Sequence, residues 1–145
     1  MNRSGYTIVQ AEAEVPAEEF VRRYVNLKDP AAGCRPCPDY GRYWTCPPYD
    51  VPAAEYWGRY RTVLLEGMQF HFTPAMLERR FDPEELSEYT RRLTAEQARR
   101  MDGHLRALYP GAAVLTTGGC MLCAACTRPA GRPCRHPEAV GYSLE

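Results

Sequence analysis

The stretch RTVLLEGMQFHF at residues 61–72 is the clearest strand in the chain, and the rest of the fold has to be built around it. Strand side chains alternate between faces, so Leu64, Met68, Phe70 and Phe72 share one face and Val63, Leu65, Gln69 and His71 the other. Glu66 interrupts the first face, which predicts an exposed end there. Upstream, YTIVQAEAEV at 6–15 begins with the same alternation and reads as a second, half-buried strand. Pro16 then opens a helix with Glu18 and Glu19 in its first turn and Phe20, Val21, Tyr24 and Val25 on one face. A short helix is expected over 52–60 and a helical turn after Thr73-Pro74. The longest helix starts at Asp82-Pro83-Glu84-Glu85, with Asp82 as its cap and Glu85 completing a capping box. It runs to about Tyr109, with Leu86, Tyr89, Leu93, Met101, Leu105 and Leu108 as its buried stripe and Glu88–Arg92 and Glu96–Arg100 as supporting pairs. Pro110-Gly111 ends it, and AAVLTT at 112–117 reads as a third short strand leading into Gly118-Gly119-Cys120.

The predicted fold is therefore α+β: a small sheet of about three strands with packed helices and two Cys-rich loops, in a single domain over 1–145. The length of 145 residues suits one domain that buries roughly two-thirds of its unfolded surface. Eighteen basic residues balance eighteen acidic ones, which argues against nucleic-acid binding by bulk electrostatics. No run of about 18 apolar residues is present to cross a membrane. The N-terminal Met1-Asn2-Arg3-Ser4-Gly5-Tyr6 lacks the apolar core of a secretory signal, so a cytoplasmic protein is expected. In that reducing compartment seven cysteines point to metal or redox chemistry rather than to disulfides.

The cysteines fall into two sets. The C-terminal set is Cys120, Cys123 and Cys126, spaced C-x2-C-x2-C, followed after seven intervening residues by Cys134. Zinc usually takes two ligands from one such knuckle and two from elsewhere. A run of three at this spacing is instead the pattern that places one sulfur on each of three iron corners of a [4Fe–4S] cluster. The seven-residue gap departs from ferredoxin spacing, and Pro133 precedes Cys134 rather than following it. Cys134 is thus the expected fourth ligand and Cys46 the alternative. The N-terminal set, Cys34, Cys37 and Cys46, lies in the Pro/Gly-rich loop 27–50, where nothing periodic survives and a bound metal could impose order. Three thiolates leave a four-ligand site one short, so Cys34, Cys37 and Cys46 are expected either to form a second metal site that recruits Cys134 or a histidine or to close over the first, and seven cysteines exclude two all-cysteine cubanes.

Competing readings of these residues carry less. Burial as small hydrophobes suits one isolated cysteine better than two grouped sets. Thiol–disulfide exchange needs a C-x2-C pair at a helix N-terminus after a strand, whereas Cys34 follows a proline-rich loop. His71 and His104 read as ordinary strand and helix residues, and His136 as a donor beside Cys134 rather than a ligand. Arg128, Arg132 and Arg135 around one set, and Arg35 and Arg42 around the other, suggest compensation of thiolate charge. Tyr40, Tyr43, Trp44 and Tyr49 suggest packing over the metal loop. No phosphate loop, dinucleotide glycine motif, haem attachment site or serine nucleophile elbow is present, and no catalytic constellation emerges.

Two segments, CRPCPDYGRYWTCPP at 34–48 and GGCMLCAACTRPAGRPCRHPEAVGYSLE at 118–145, together resemble a group of predicted metal-binding proteins, the domain of unknown function 2284. Tyr40, Gly41, Trp44, Cys46, Pro47 and Pro48 match its Tyr-Gly-x-x-Trp-x-Cys-Pro-Pro motif. Gly118-Gly119-Cys120, the following Cys123 and Cys126, and the Ser143-x-Glu145 ending match its second motif. Members generally continue after that ending, whereas this chain stops at Glu145. The resemblance implies metal binding and leaves metal and reaction open. From the residues themselves we expect an iron–sulfur protein with an electron-transfer or redox-accessory role and a protein partner. A zinc-stabilised interaction module is the alternative, and a thiol–disulfide protein the weaker one.

Overall fold

A computed structural model of the chain describes residues 5–116 and 118–137. These fall into two compact units, one of residues 5–28 and 53–88, the other of 29–52, 89–116 and 118–137. The first unit holds strands β1 (Tyr6–Pro16) and β2 (Thr62–Phe72), helices α1 (Ala17–Tyr24), α2 (Ala53–Trp57) and α3 (Pro74–Glu78), and the first turns of α4 (Pro83–Leu108). The rest of α4 lies in the second unit, which is otherwise irregular apart from a 3-10 turn at Arg128–Ala130.

β1 and β2 pair antiparallel over their full lengths, from Tyr6 opposite Phe72 to Pro16 opposite Thr62. Ala17 N–H donates to the Arg61 carbonyl at 2.9 Å, so the ladder runs straight into the first turn of α1. At the other end, Thr73 N–H donates to the Gly5 carbonyl at 2.9 Å, and Tyr6, Phe70 and Phe72 pack their rings edge-on and stacked. A two-stranded ribbon is marginal alone and needs a packed neighbour. The buried residues of this unit come from α1 and α2: Ala17, Phe20, Ala53, Tyr56 and Trp57. Phe20 is the hinge of that cluster, with Tyr24 and Trp57 at 5.4 and 5.3 Å between ring centres.

Several expectations are corrected. Residues 112–116 form no strand. A strand exists only where another edge takes up its backbone groups, and these residues belong to the unit in which no strand stands among the described residues. The α+β class stands with a two-stranded sheet rather than about three strands. Glu66 is half-buried rather than exposed and sits opposite Glu12 in the register. On α4, Leu93 is buried together with Gln97 and Asp102, while Leu86 and Leu108 at the two ends are about half exposed. An apolar pattern nominates a face, but the buried patch is set by what actually lies against the helix, and here it takes polar residues too. Asp102 is tolerated there through its ion pair with Arg106, 2.9 Å away one turn on. Glu96 and Arg100 pair at 2.6 Å. Asp82 caps α4, accepting the Glu85 N–H at 2.8 Å, but the Glu85 carboxylate turns to Arg79 instead of closing a capping box. Thr117 and the Ser143–Glu145 ending lie outside the described residues, as do Met1–Ser4.

Truncating the ring at the centre of the first unit should be costly. Phe20→Ala is expected to lower stability by about 3–5 kcal/mol, as for other buried aromatic truncations. Leu77→Ala, on a side chain 71% exposed, should change it by less than about 0.5 kcal/mol. Paired urea melts check both.

Candidate metal centre

The loop 29–52 is ordered by its own backbone. Successive turns run through it: Cys37 N–H to the Cys34 carbonyl at 3.0 Å, Tyr40 to Cys37 at 3.1 Å, Arg42 to Asp39 at 3.0 Å and Cys46 to Tyr43 at 3.0 Å. Its arginines are engaged within the loop. Arg35 grips Asp29 with two bonds of 2.9 and 2.7 Å, and Arg42 holds Asp39 at 2.7 Å. The Arg35 guanidinium holds the Asp29 carboxyl below its ordinary range. These two arginines therefore neutralise carboxylates rather than thiolates.

The three cysteines of this loop are hydrogen-bonded locally. Cys34 is buried with its Sγ 3.9 Å from the Tyr49 hydroxyl. Cys46 is buried and its thiol donates to the Asp39 carbonyl at 3.4 Å. Cys37 is exposed and accepts the Asp39 N–H at 3.4 Å.

The C-terminal loop builds a different environment. Cys120, Cys123, Cys126 and Cys134 are all half-buried and line one hollow, together with Trp44 and His136. Cys46 is not on its wall. Burial pushes the Cys120 thiol above its ordinary range; a backbone N–H from Leu122 opposes this, and the neighbouring Cys134, Cys123 and Cys126 push it further up. Cys134 accepts the His136 N–H at 3.4 Å. Cys37, Cys120 and Cys134 thus share one local geometry, a sulfur receiving the N–H two residues ahead. Such bonds set the electronic character of a sulfur ligand.

The donor set suits a thiophilic metal: four soft sulfurs, partly withdrawn from water, on one hollow. The sulfurs have not converged on a single point. Among the described residues no group of three or more His, Cys, Asp or Glu side chains stands close enough to hold a metal ion as arranged. Metal binding to thiols expels their protons and supplies the energy to draw such ligands together.

The hollow is closed on one side by a clasp between the two loops. Arg128 donates to the carbonyls of Tyr43 at 2.6 Å and Pro48 at 3.2 Å, and also to that of Cys46. Its guanidinium carbon lies 5.4 Å from the centre of the Trp44 ring, within cation–π range. Trp44 Nε1 donates to the buried Thr127 hydroxyl at 3.1 Å. Pro47, inside the clasped segment, is fully buried and joined to Pro48 by a cis peptide. Arg128 was expected to answer thiolate charge; its partners are main-chain carbonyls. Thr127 carried no expectation at all, and nothing in Cys-Thr-Arg marks it. Gly119 completes the closure, since a Cβ there would meet the Tyr43 ring at 2.5–2.7 Å. His71 and His104 are exposed, away from any cysteine in sequence.

The chain belongs to the family described as predicted metal-binding protein (DUF2284), which matches residues 22–145. Both cysteine loops fall within the match. No curated protein and no solved structure matches the chain. Among the described residues no helix is long and apolar enough to cross a membrane.

The closure makes a paired prediction about glycines. Gly119→Ala forces the Tyr43 ring aside and is expected to cost about 1–3 kcal/mol, the usual range for overpacking. Gly103→Ala, on α4 with open space around the new methyl, is expected to stabilise by roughly 0.5–1 kcal/mol. Thermal and urea melts of the two variants should move in opposite directions.

Proposed function

We propose that this chain is a cytoplasmic iron–sulfur protein that holds a [4Fe–4S] cluster on Cys120, Cys123, Cys126 and Cys134 and carries electrons for, or assists, a larger redox system. The observation that carries the reading is that these four half-buried cysteines, three of them at C-x2-C-x2-C spacing, line one hollow. Cys134 is favoured over Cys46 as the fourth ligand because it lies on that wall while the Cys46 thiol is committed to the Asp39 carbonyl. When bound, the cluster supplies one-electron chemistry. The protein supplies the thiolates, the N–H donors to Cys120 and Cys134 that tune them, and the Trp44 wall that limits water. Cys34, Cys37 and Cys46 remain one donor short of a second four-ligand site, and the reading leaves them in the loop that supplies Trp44. In this reading the partner is another redox protein, and no catalytic role is assigned to the chain itself.

The clasp favours one alternative. Four cysteines flanked by a hydrogen-bonded junction between two loops also suit a structural zinc, whose work would be to fasten a protein-binding surface.

Electron paramagnetic resonance on oxygen-free protein, before and after reduction with dithionite, tests the proposal. Wild type and Cys46→Ser are expected to show a reduced-cluster signal, and Cys123→Ser and Cys134→Ser to lose it. Full signal in Cys123→Ser contradicts the ligand assignment, and silence in wild type with bound zinc supports the alternative.

A further inference from the structure

The least ferredoxin-like feature of the C-terminal loop is the seven-residue gap between Cys126 and Cys134. A flexible excursion of that length would leave the fourth sulfur wandering. In this chain the excursion is folded back onto a single residue. The Thr127 carbonyl accepts the N–H of Ala130 at 3.1 Å and that of Arg132 at 3.2 Å. Its hydroxyl donates to the Pro133 carbonyl at 2.9 Å and accepts the indole N–H of Trp44 at 3.1 Å. Thr127 directly follows Cys126, and Pro133 directly precedes Cys134, so one hydroxyl spans the flanks of two cysteines on the hollow. Thr127 is 7% exposed, which shields these bonds from competition by water.

We infer that Thr127 is the positioning residue that fixes Cys134 as the fourth sulfur of the centre. Its backbone carbonyl shapes the return of the chain and its hydroxyl locks the last step. The inference rests on the four-thiolate reading of the site. The hydroxyl is the separable part: valine has the same shape and leaves the carbonyl bonds in place, so Thr127→Val removes only the lock. Serine retains it.

The test is an oxygen-free titration of the metal-free full chain with cobalt(II), whose sulfur-to-cobalt charge-transfer band grows with the number of bound thiolates. Wild type is expected to give a four-thiolate band. Thr127→Val is expected to give a three-thiolate band and to bind about ten- to hundredfold more weakly, the usual cost of losing a group that orients a metal ligand. Thr127→Ser is expected to restore both. Gly103→Ala, outside the site and with open space around the new methyl, is expected to keep the four-thiolate band. It supplies a stabilised background in which Thr127→Val is tested if the single variant does not fold. Wild-type affinity and band in a folded Thr127→Val, in either background, or a three-thiolate band in Thr127→Ser, overturns the role of the hydroxyl. Absence of any sulfur band in wild type overturns the four-thiolate reading itself, and the inference with it.

Discussion

Three main-chain carbonyls, those of Tyr43, Cys46 and Pro48, end on the guanidinium of Arg128, and the site depends on this convergence more than on any other contact. The segment 43–48 has no helix or sheet to absorb its backbone acceptors, and a carbonyl withdrawn from water without a donor costs about 1–3 kcal/mol. A planar cation with five donors in a fixed fork can meet several at once, which the point charge of a lysine cannot. Because Arg128 sits directly beside Thr127 and within two residues of Cys126, satisfying one loop also anchors the other. Trp44 is held between them, its ring under the guanidinium and its N–H on the Thr127 hydroxyl. The wall of the cysteine hollow is therefore assembled from residues on both loops, more than seventy positions apart in sequence.

The elements that announce themselves by period or by cap were legible in the sequence. β2 was readable because residues 62–72 alternate, and the start of α4 because Asp82 precedes Pro-Glu-Glu. What escaped reading depends on a partner that the local sequence does not contain. Residues 112–116 have the composition of a strand, but their unit holds no strand among the described residues. Leu86 and Leu108 fit the helical stripe and lie outside the patch that is covered, while Asp102 breaks the stripe and is buried with its own counter-ion. For the candidate site, the spacing nominates Cys120, Cys123 and Cys126, with Cys134 as the expected fourth ligand and Cys46 as the alternative; Cys134 lines one hollow with the first three and Cys46 does not. The clasp was illegible, since an arginine near cysteines reads as charge compensation until its acceptors prove to be carbonyls. Thr127 left no mark because its partners are a side chain on a distant loop and a main-chain carbonyl.

The chemistry of the hollow follows from its electrostatics. Burial, with a further push from the neighbouring Cys134, Cys123 and Cys126, makes it harder for Cys120 to ionise. On the proposed reading a divalent metal or an iron–sulfur cluster would reverse that by supplying positive charge, which Arg35, Arg42 and Arg128, engaged with carboxylates and carbonyls, do not, while Arg135 lies on the wall of the hollow. On the same reading the clasp holds the loops near one another, and a bound metal would close the remaining distance between the sulfurs.

The central claim, an iron–sulfur centre on four cysteines, is tested most directly by determining iron, acid-labile sulfide and zinc in protein purified without oxygen, with a visible spectrum of the same sample. The account predicts iron and sulfide in near-equal amounts and a broad visible absorption that bleaches on reduction. Zinc alone, with no sulfide and no visible band, would contradict it.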